Sequence, residues 1–155
     1  MNYPLVIAAL VIFFLLPKHK LHEWIIHNVL GWKIVTSKGT SWAEVKKEKK
    51  LVMACYPHTS GWDLFYGIFL VFSTVGGHVM MKSSLSWMKY IGIPVLAVKR
   101  NSNAGQSASV SKMFGVNPDT FCWVWLWICG TRAYSDNISS GFYYIAKEGN
   151  AKIVF

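Results

Sequence analysis

His58 and Asp63 stand in the segment Pro57-His58-Thr59-Ser60-Gly61-Trp62-Asp63. An imidazole on a loop can be met by a carboxylate that opens the following helix. The carboxylate then orients the ring and stabilises its protonated form, leaving the second nitrogen free as a base. A Ser-His-Asp triad divides the labour in the same way, and no serine is needed when the substrate brings its own hydroxyl. Lys82, Lys99 and Arg100 form a second group, and Gly130-Thr131-Arg132 a third. A phosphate calls for charge-assisted donors, and arginine supplies a bidentate fork. Gly130 would let a ligand approach the backbone closely. Each group also has a plain structural reading: a helix-start aspartate capping a loop histidine, and ordinary loop charge.

Position raises the functional reading. Leu51 to Tyr56, His78 to Met81, Pro94 to Val98, Phe121 to Ile128 and Ala151 to Phe155 read as short apolar strands. The run Phe-Cys-Trp-Val-Trp-Leu-Trp-Ile is what a strand buried on both faces requires. Between the strands, Trp62 to Ser73, Ser84 to Tyr90, Ala104 to Phe114 and Gly141 to Lys147 read as helices. Such alternation predicts an α/β fold with a largely parallel central sheet flanked by helices. His58, Lys99 with Arg100, and Thr131 with Arg132 each follow a strand. In a parallel sheet they share its carboxyl edge, where open α/β sheets place their ligand sites.

Pro4 to Leu16 is an unbroken apolar run. As a helix it would be about 20 Å long, short of a hydrocarbon core of about 30 Å. No basic stretch precedes it and no small-residue cleavage site follows, so a signal peptide is not expected. Pro17-Lys18-His19-Lys20 breaks the run. Leu21 to Leu30 then has helical spacing, with Gly31 as its cap. The expectation is a helical hairpin over 1–31 that dips into one leaflet, with Trp24 near the interface. Residues 32–50 form a basic linker or short surface helix, and 51–155 the main domain. The net charge of +9 favours anionic surfaces. With eight Trp and 15% charged residues, a membrane is the expected partner rather than nucleic acid. Cys55, Cys122 and Cys129 are odd in number and lack metal-ligand spacing, which argues against a disulfide framework or zinc site and for a reducing, cytosol-facing setting.

Taken in order, the blocks resemble the glycerolipid acyltransferases, in particular the lysophosphatidate acyltransferase branch. The family's HxxxxD block is matched by His58 to Asp63. Its second block is matched by Lys82-Ser83-Ser84-Leu85 through Gly92-Ile93-Pro94-Val95 to Arg100. Its Glu-Gly-Thr-Arg block is matched as Cys129-Gly130-Thr131-Arg132, and Ser140-Gly141-Phe142 resembles the family's Gly-Phe helix. The similarity covers residues 51 to 155.

The resemblance implies a membrane-bound enzyme that moves a fatty acyl group from acyl-CoA or an acyl carrier protein to the hydroxyl of a lysophospholipid. His58 would be the general base, oriented by Asp63. Arg100, Arg132 and Lys82 would hold the acceptor's phosphate, with Gly130 and Thr131 supporting them. No metal or bound cofactor is implied. The chain departs from the family pattern in two ways. Cys129 stands where the family has glutamate, with Ile128 in place of the preceding proline, and a thiol does not accept hydrogen bonds as a carboxylate does. The matched blocks also end at Phe155, before the family's fourth, proline-bearing block, so a C-terminally short domain is expected. These departures keep open a second reading, a catalytically impaired relative that binds lipid at a membrane.

Overall fold

The computed structural model describes residues 18–33, 35, 39–58, 60–72, 77–99, 106–115, 117, 119–129 and 136–155. Five strands, β1 (Lys50–Cys55), β2 (Gly77–Lys82), β3 (Val95–Val98), β4 (Cys122–Trp127) and β5 (Lys152–Val154), form one sheet in the order β3-β2-β4-β1-β5. Every pairing is parallel, so the chain is α/β with a parallel central sheet. Cys55 stands opposite Trp127, and Lys82 opposite Val98, which brings the ends of β1, β4, β2 and β3 to one edge.

The period-2 alternation of strand side chains divides the core in two. Leu51, Met53, Trp123 and Trp125 face a layer containing Val71 and Met88, with Trp127 packed beside them. Val52, Ala54, Cys122, Val124 and Leu126 face a layer containing Val110, Phe114, Ile145 and Ala146. The first layer comes from helices α2 (Trp42–Val45) and α3 (Trp62–Phe72) and a 3₁₀ helix, Ser83–Ile91. The second comes from α4 (Gln106–Ser111), which tightens into a 3₁₀ turn at Lys112–Phe114, and α5 (Gly141–Gly149). Both faces of β4 are therefore covered, and its three tryptophans all lie in the first layer.

The helices expected over Ser84–Tyr90 and Ala104–Phe114 form in their described parts, at Ser83–Ile91 and over Gln106–Ser111 with its 3₁₀ turn. Ser83–Ile91 is a nine-residue 3₁₀ helix. It must carry the chain back along a six-residue strand, a span of about 20 Å, and a 3₁₀ helix covers about 2 Å per residue against 1.5 Å for an α-helix. It ends at Gly92, whose φ of 86° is a conformation that suits glycine. α2 is opened by a capping box, with Ser41 accepting from the Glu44 N–H and Glu44 accepting from the Ser41 N–H.

At the N-terminus, Pro4 to Leu16 lies outside the described residues. α1 (Lys18–Trp24) continues as a π-helical turn, Ile25–Val29. Lys18, His19 and Lys20, expected in the charged break between two apolar pieces, are helical, since neither Lys nor His opposes helix formation strongly. α1 packs against α3, and the ring of Trp32 lies 4.3 Å from that of Tyr66. Among the described residues no helix is long and apolar enough to cross a membrane.

Candidate functional site

The loop after β1 and the first turn of α3 build the site together. The Asp63 carboxylate reaches back to accept the Ser60 backbone N–H at 3.0 Å, and Ser60 Oγ accepts the Trp62 N–H at 3.1 Å. These bonds satisfy donors that a helix start leaves unpaired, and they place an anion where the helix dipole favours it. The same Oδ2 atom lies 3.0 Å from His58 Nδ1. A carboxylate only accepts, so Nδ1 carries the proton and donates it, leaving Nε2 with its lone pair. Both side chains are largely shielded, at 22% and 18% exposed. The pair can therefore take a proton at Nε2 while Asp63 balances the charge.

Trp127, the last residue of β4, covers the imidazole. The two ring centroids are 5.1 Å apart with the planes inclined by 38°. The other side of Trp127 lies on α3 at Gly67, where an added Cβ would fall 2.4 Å from Cη2. Sequence reasoning missed both residues. The available signal was a glycine inside an apolar helix, one turn beyond Asp63, which costs about 1 kcal/mol relative to alanine unless something must pack close to it.

An apolar cavity of about 530 Å³ adjoins the pair, lined by Met53, Cys55, Leu70, Trp125, Trp127 and Phe155 among others. Asp63 is its one charged lining residue among those described. Its volume lies within the range of roughly 300–1,000 Å³ usual for small-molecule sites. Burial pushes the Cys55 thiol up to about 12, and the charge of Asp63 adds to the effect. Cys55 is thus a protonated, apolar part of the wall rather than a nucleophile. Cys129 follows β4 and is partly exposed. The Ile128 N–H before it bonds to the Cys55 carbonyl at 3.1 Å, which joins the two loops.

Lys82 ends β2 on the same edge and is exposed. Its strand lies two positions from β1, about 10 Å across the sheet. Arg100, Gly130, Thr131 and Arg132 lie outside the described residues, as does Thr59; the strands leading to them, β3 and β4, end on the edge that carries His58. Among the described residues, no group of three His, Cys, Asp or Glu side chains could hold a metal ion.

A larger cavity, about 910 Å³, opens at the opposite edge and is lined by Lys47, Lys50, Lys112, Lys152, Glu48 and Glu148 among others. It begins where β1 and β5 begin, so the length of β1, about 20 Å, separates it from His58. Its charges are largely spent on neighbours: Lys152 pairs with Glu48, Lys50 donates to the Gly115 carbonyl, and Ser111 donates to Glu148.

Comparison with protein-family models, with curated proteins and with solved structures gives no match.

Proposed function

We propose that the chain is a membrane-bound acyltransferase that moves a fatty acyl group from a thioester to the free hydroxyl of lysophosphatidate or a similar lysophospholipid. The observation that carries this reading is the His58–Asp63 pair, with Nε2 left as a base beside an apolar cavity. In the reaction, Nε2 takes the proton of the acceptor hydroxyl as its oxygen attacks the thioester carbonyl. A C–O bond forms, the C–S bond breaks, and the proton passes from His58 to the departing thiolate. Asp63 holds the ring and offsets the imidazolium charge between the two transfers.

The apolar cavity suits an acyl chain, which needs burial and few polar partners. Lys82 stands on the right edge to meet the acceptor's phosphate, and the order of the sequence blocks assigns Arg100 and Arg132 to the same task, supported by Gly130 and Thr131. Acyl-CoA or an acyl carrier protein is the co-substrate, and the reading calls for neither metal nor bound cofactor. Residues 1–31 would associate with the bilayer, where acceptor and product both reside, with residues 51–155 on the cytosolic side. Exposed Trp24, Val29 and Leu30 on the described part of that segment support this placement.

Cys129 favours a second reading, in which the chain binds lipid at the membrane without turnover. One assay separates the two. Detergent-purified protein is given lysophosphatidate and radiolabelled acyl-CoA of several chain lengths, and phosphatidate is followed. Product well above a His58→Ala control supports the enzyme. Product equal to that control, with lysophospholipid still bound, supports the lipid-binding relative. Cys129→Glu is the companion variant, and a rise in rate would show that the glutamate has a role in this site.

A further inference from the structure

We propose that Trp127 is a positioning residue for the His58–Asp63 pair, and that Gly67 is a glycine because Trp127 needs its space. The kinetic part of this inference rests on the acyltransferase reading; the contact does not. The hydrogen bond to Asp63 at Nδ1 fixes one point of the imidazole. The ring can still swing about that point and carry Nε2 away from an acceptor hydroxyl. The Trp127 indole against the imidazole face removes that freedom, at a separation within the 4.5–7 Å or so typical of interacting aromatic rings.

Trp127 is held in turn from two sides. Its backbone stands opposite Cys55, three residues before His58, in the parallel ladder. Its far edge lies on the backbone of α3, where a Cβ at position 67 would come within 2.4 Å of Cη2 and 3.2 Å of Cζ2. Both are ring atoms on a side chain wedged between helix and sheet, so neither can give way without moving the ring. Gly67 follows Asp63 by one helical turn and shares its face of α3. One turn of one helix thus supplies both supports: a carboxylate bonded to Nδ1 of the imidazole, and room for the ring packed against it. A catalytic side chain held in this way is preorganised by packing as well as by hydrogen bonding.

The test uses Gly67→Ala, Trp127→Leu, Trp127→Phe and the double variant Gly67→Ala/Trp127→Phe, all in the full chain. His58 ring resonances are read by NMR, assigned against His58→Gln, and kcat and KM are measured with lysophosphatidate and acyl-CoA. Circular dichroism melts confirm folding. Trp127→Leu should move the His58 ring signals through loss of the indole ring current. It should also lower kcat by about ten- to a hundredfold with KM within about twofold, as misplacement of a catalytic group does. Gly67→Ala should act in the same way in the Trp127 background. Its effect should be several-fold smaller beside Trp127→Phe, because phenylalanine lacks the outer ring that the new methyl would strike.

Unmoved His58 signals in Trp127→Leu overturn the contact. A folded Trp127→Leu with unchanged kcat, or a Gly67→Ala effect of equal size in both backgrounds, overturns the positioning role. Moved signals in Trp127→Leu, together with a wild-type protein that transfers no acyl group, decide for the contact and against the acyltransferase reading.

Discussion

Gly67 and Gly149 pose the same steric problem at opposite edges of the sheet. Each is a helix residue under an aromatic ring, and at each an added Cβ would come to 2.4 Å from a ring carbon, Trp127 Cη2 in one case and Phe114 Cδ2 in the other. The rings differ in what lies beyond them. Phe114 is wholly buried, in the cluster that holds Val110, Ile145 and Ala146. Trp127 is partly exposed, lines a cavity and covers His58. A close glycine–aromatic contact is thus a packing device at one edge and part of a candidate site at the other. The far side of the ring decides which.

The largest effects should come from the pair that gives the carboxyl edge its chemistry. His58→Ala is expected to lower acyl transfer by about 10³-fold, and Asp63→Asn by about 10²- to 10³-fold, within the range of general-base catalysis. Both variants should keep the wild-type melting transition to within a few degrees. Loss of folding in either would recast the pair as structural and remove the contrast between the edges. Next in size is Gly149→Ala, which should destabilise the protein by about 1–3 kcal/mol through overpacking against Phe114. Urea melts would measure this, and kcat per folded molecule should stay unchanged. A fall in kcat would erase the difference between the two glycines.

Alkaline titration probes both edges together. Burial raises the Cys55 thiol from its ordinary 9.0 to about 12, aided by Asp63, and raises Cys122 to about 11 against the opposing charge of Lys50. The folded state holds these protons more tightly than the unfolded chain. Their stabilisation is therefore complete below about pH 9 and is lost as pH rises towards 11 and 12. Urea midpoints measured from pH 8 upwards should fall, and Cys55→Ala should flatten the fall more than Cys122→Ala. Equal slopes would show that the two thiols are equally shielded. The smallest effect is expected from Glu48→Gln at the amino edge. Its partner Lys152 is 68% exposed, and such pairs contribute about 0–1 kcal/mol. Acyl transfer should not change.

The sheet was legible because buried parallel strands need uninterrupted apolar runs, and Leu51, Pro94 and Phe121 each open one near the observed limits. The His58–Asp63 contact was legible for a related reason: it is local, closed within one loop and one helical turn. The support from Trp127 was not, because it depends on strand order. Nothing in the spacing of Gly67 and Trp127 says that β4 lies beside β1. The 3₁₀ form of Ser83–Ile91 was hidden too, since its apolar spacing suits either helix and the distance to be covered decides. Arg100 and Arg132 remain a reading of the sequence, as both lie outside the described residues.

The strand order bears on how the site comes into being. β1 lies one strand in from the β5 edge; among the described strands it is the first to be synthesised, and its two neighbours, β4 and β5, are the last. Contacts at the start of this strand join distant parts of the chain: the Trp123 indole N–H donates to the Glu48 carbonyl across 75 residues, and Lys152 pairs with Glu48 across 104. Loops of that length close slowly, and parallel pairing gains nothing until they have closed. The loop that carries His58 is therefore made early and given its walls late. On a ribosome it would wait beside an unpaired β1 until β4 emerged, so its exposure to proteolysis should track chain length and drop once Trp127 has cleared the exit tunnel.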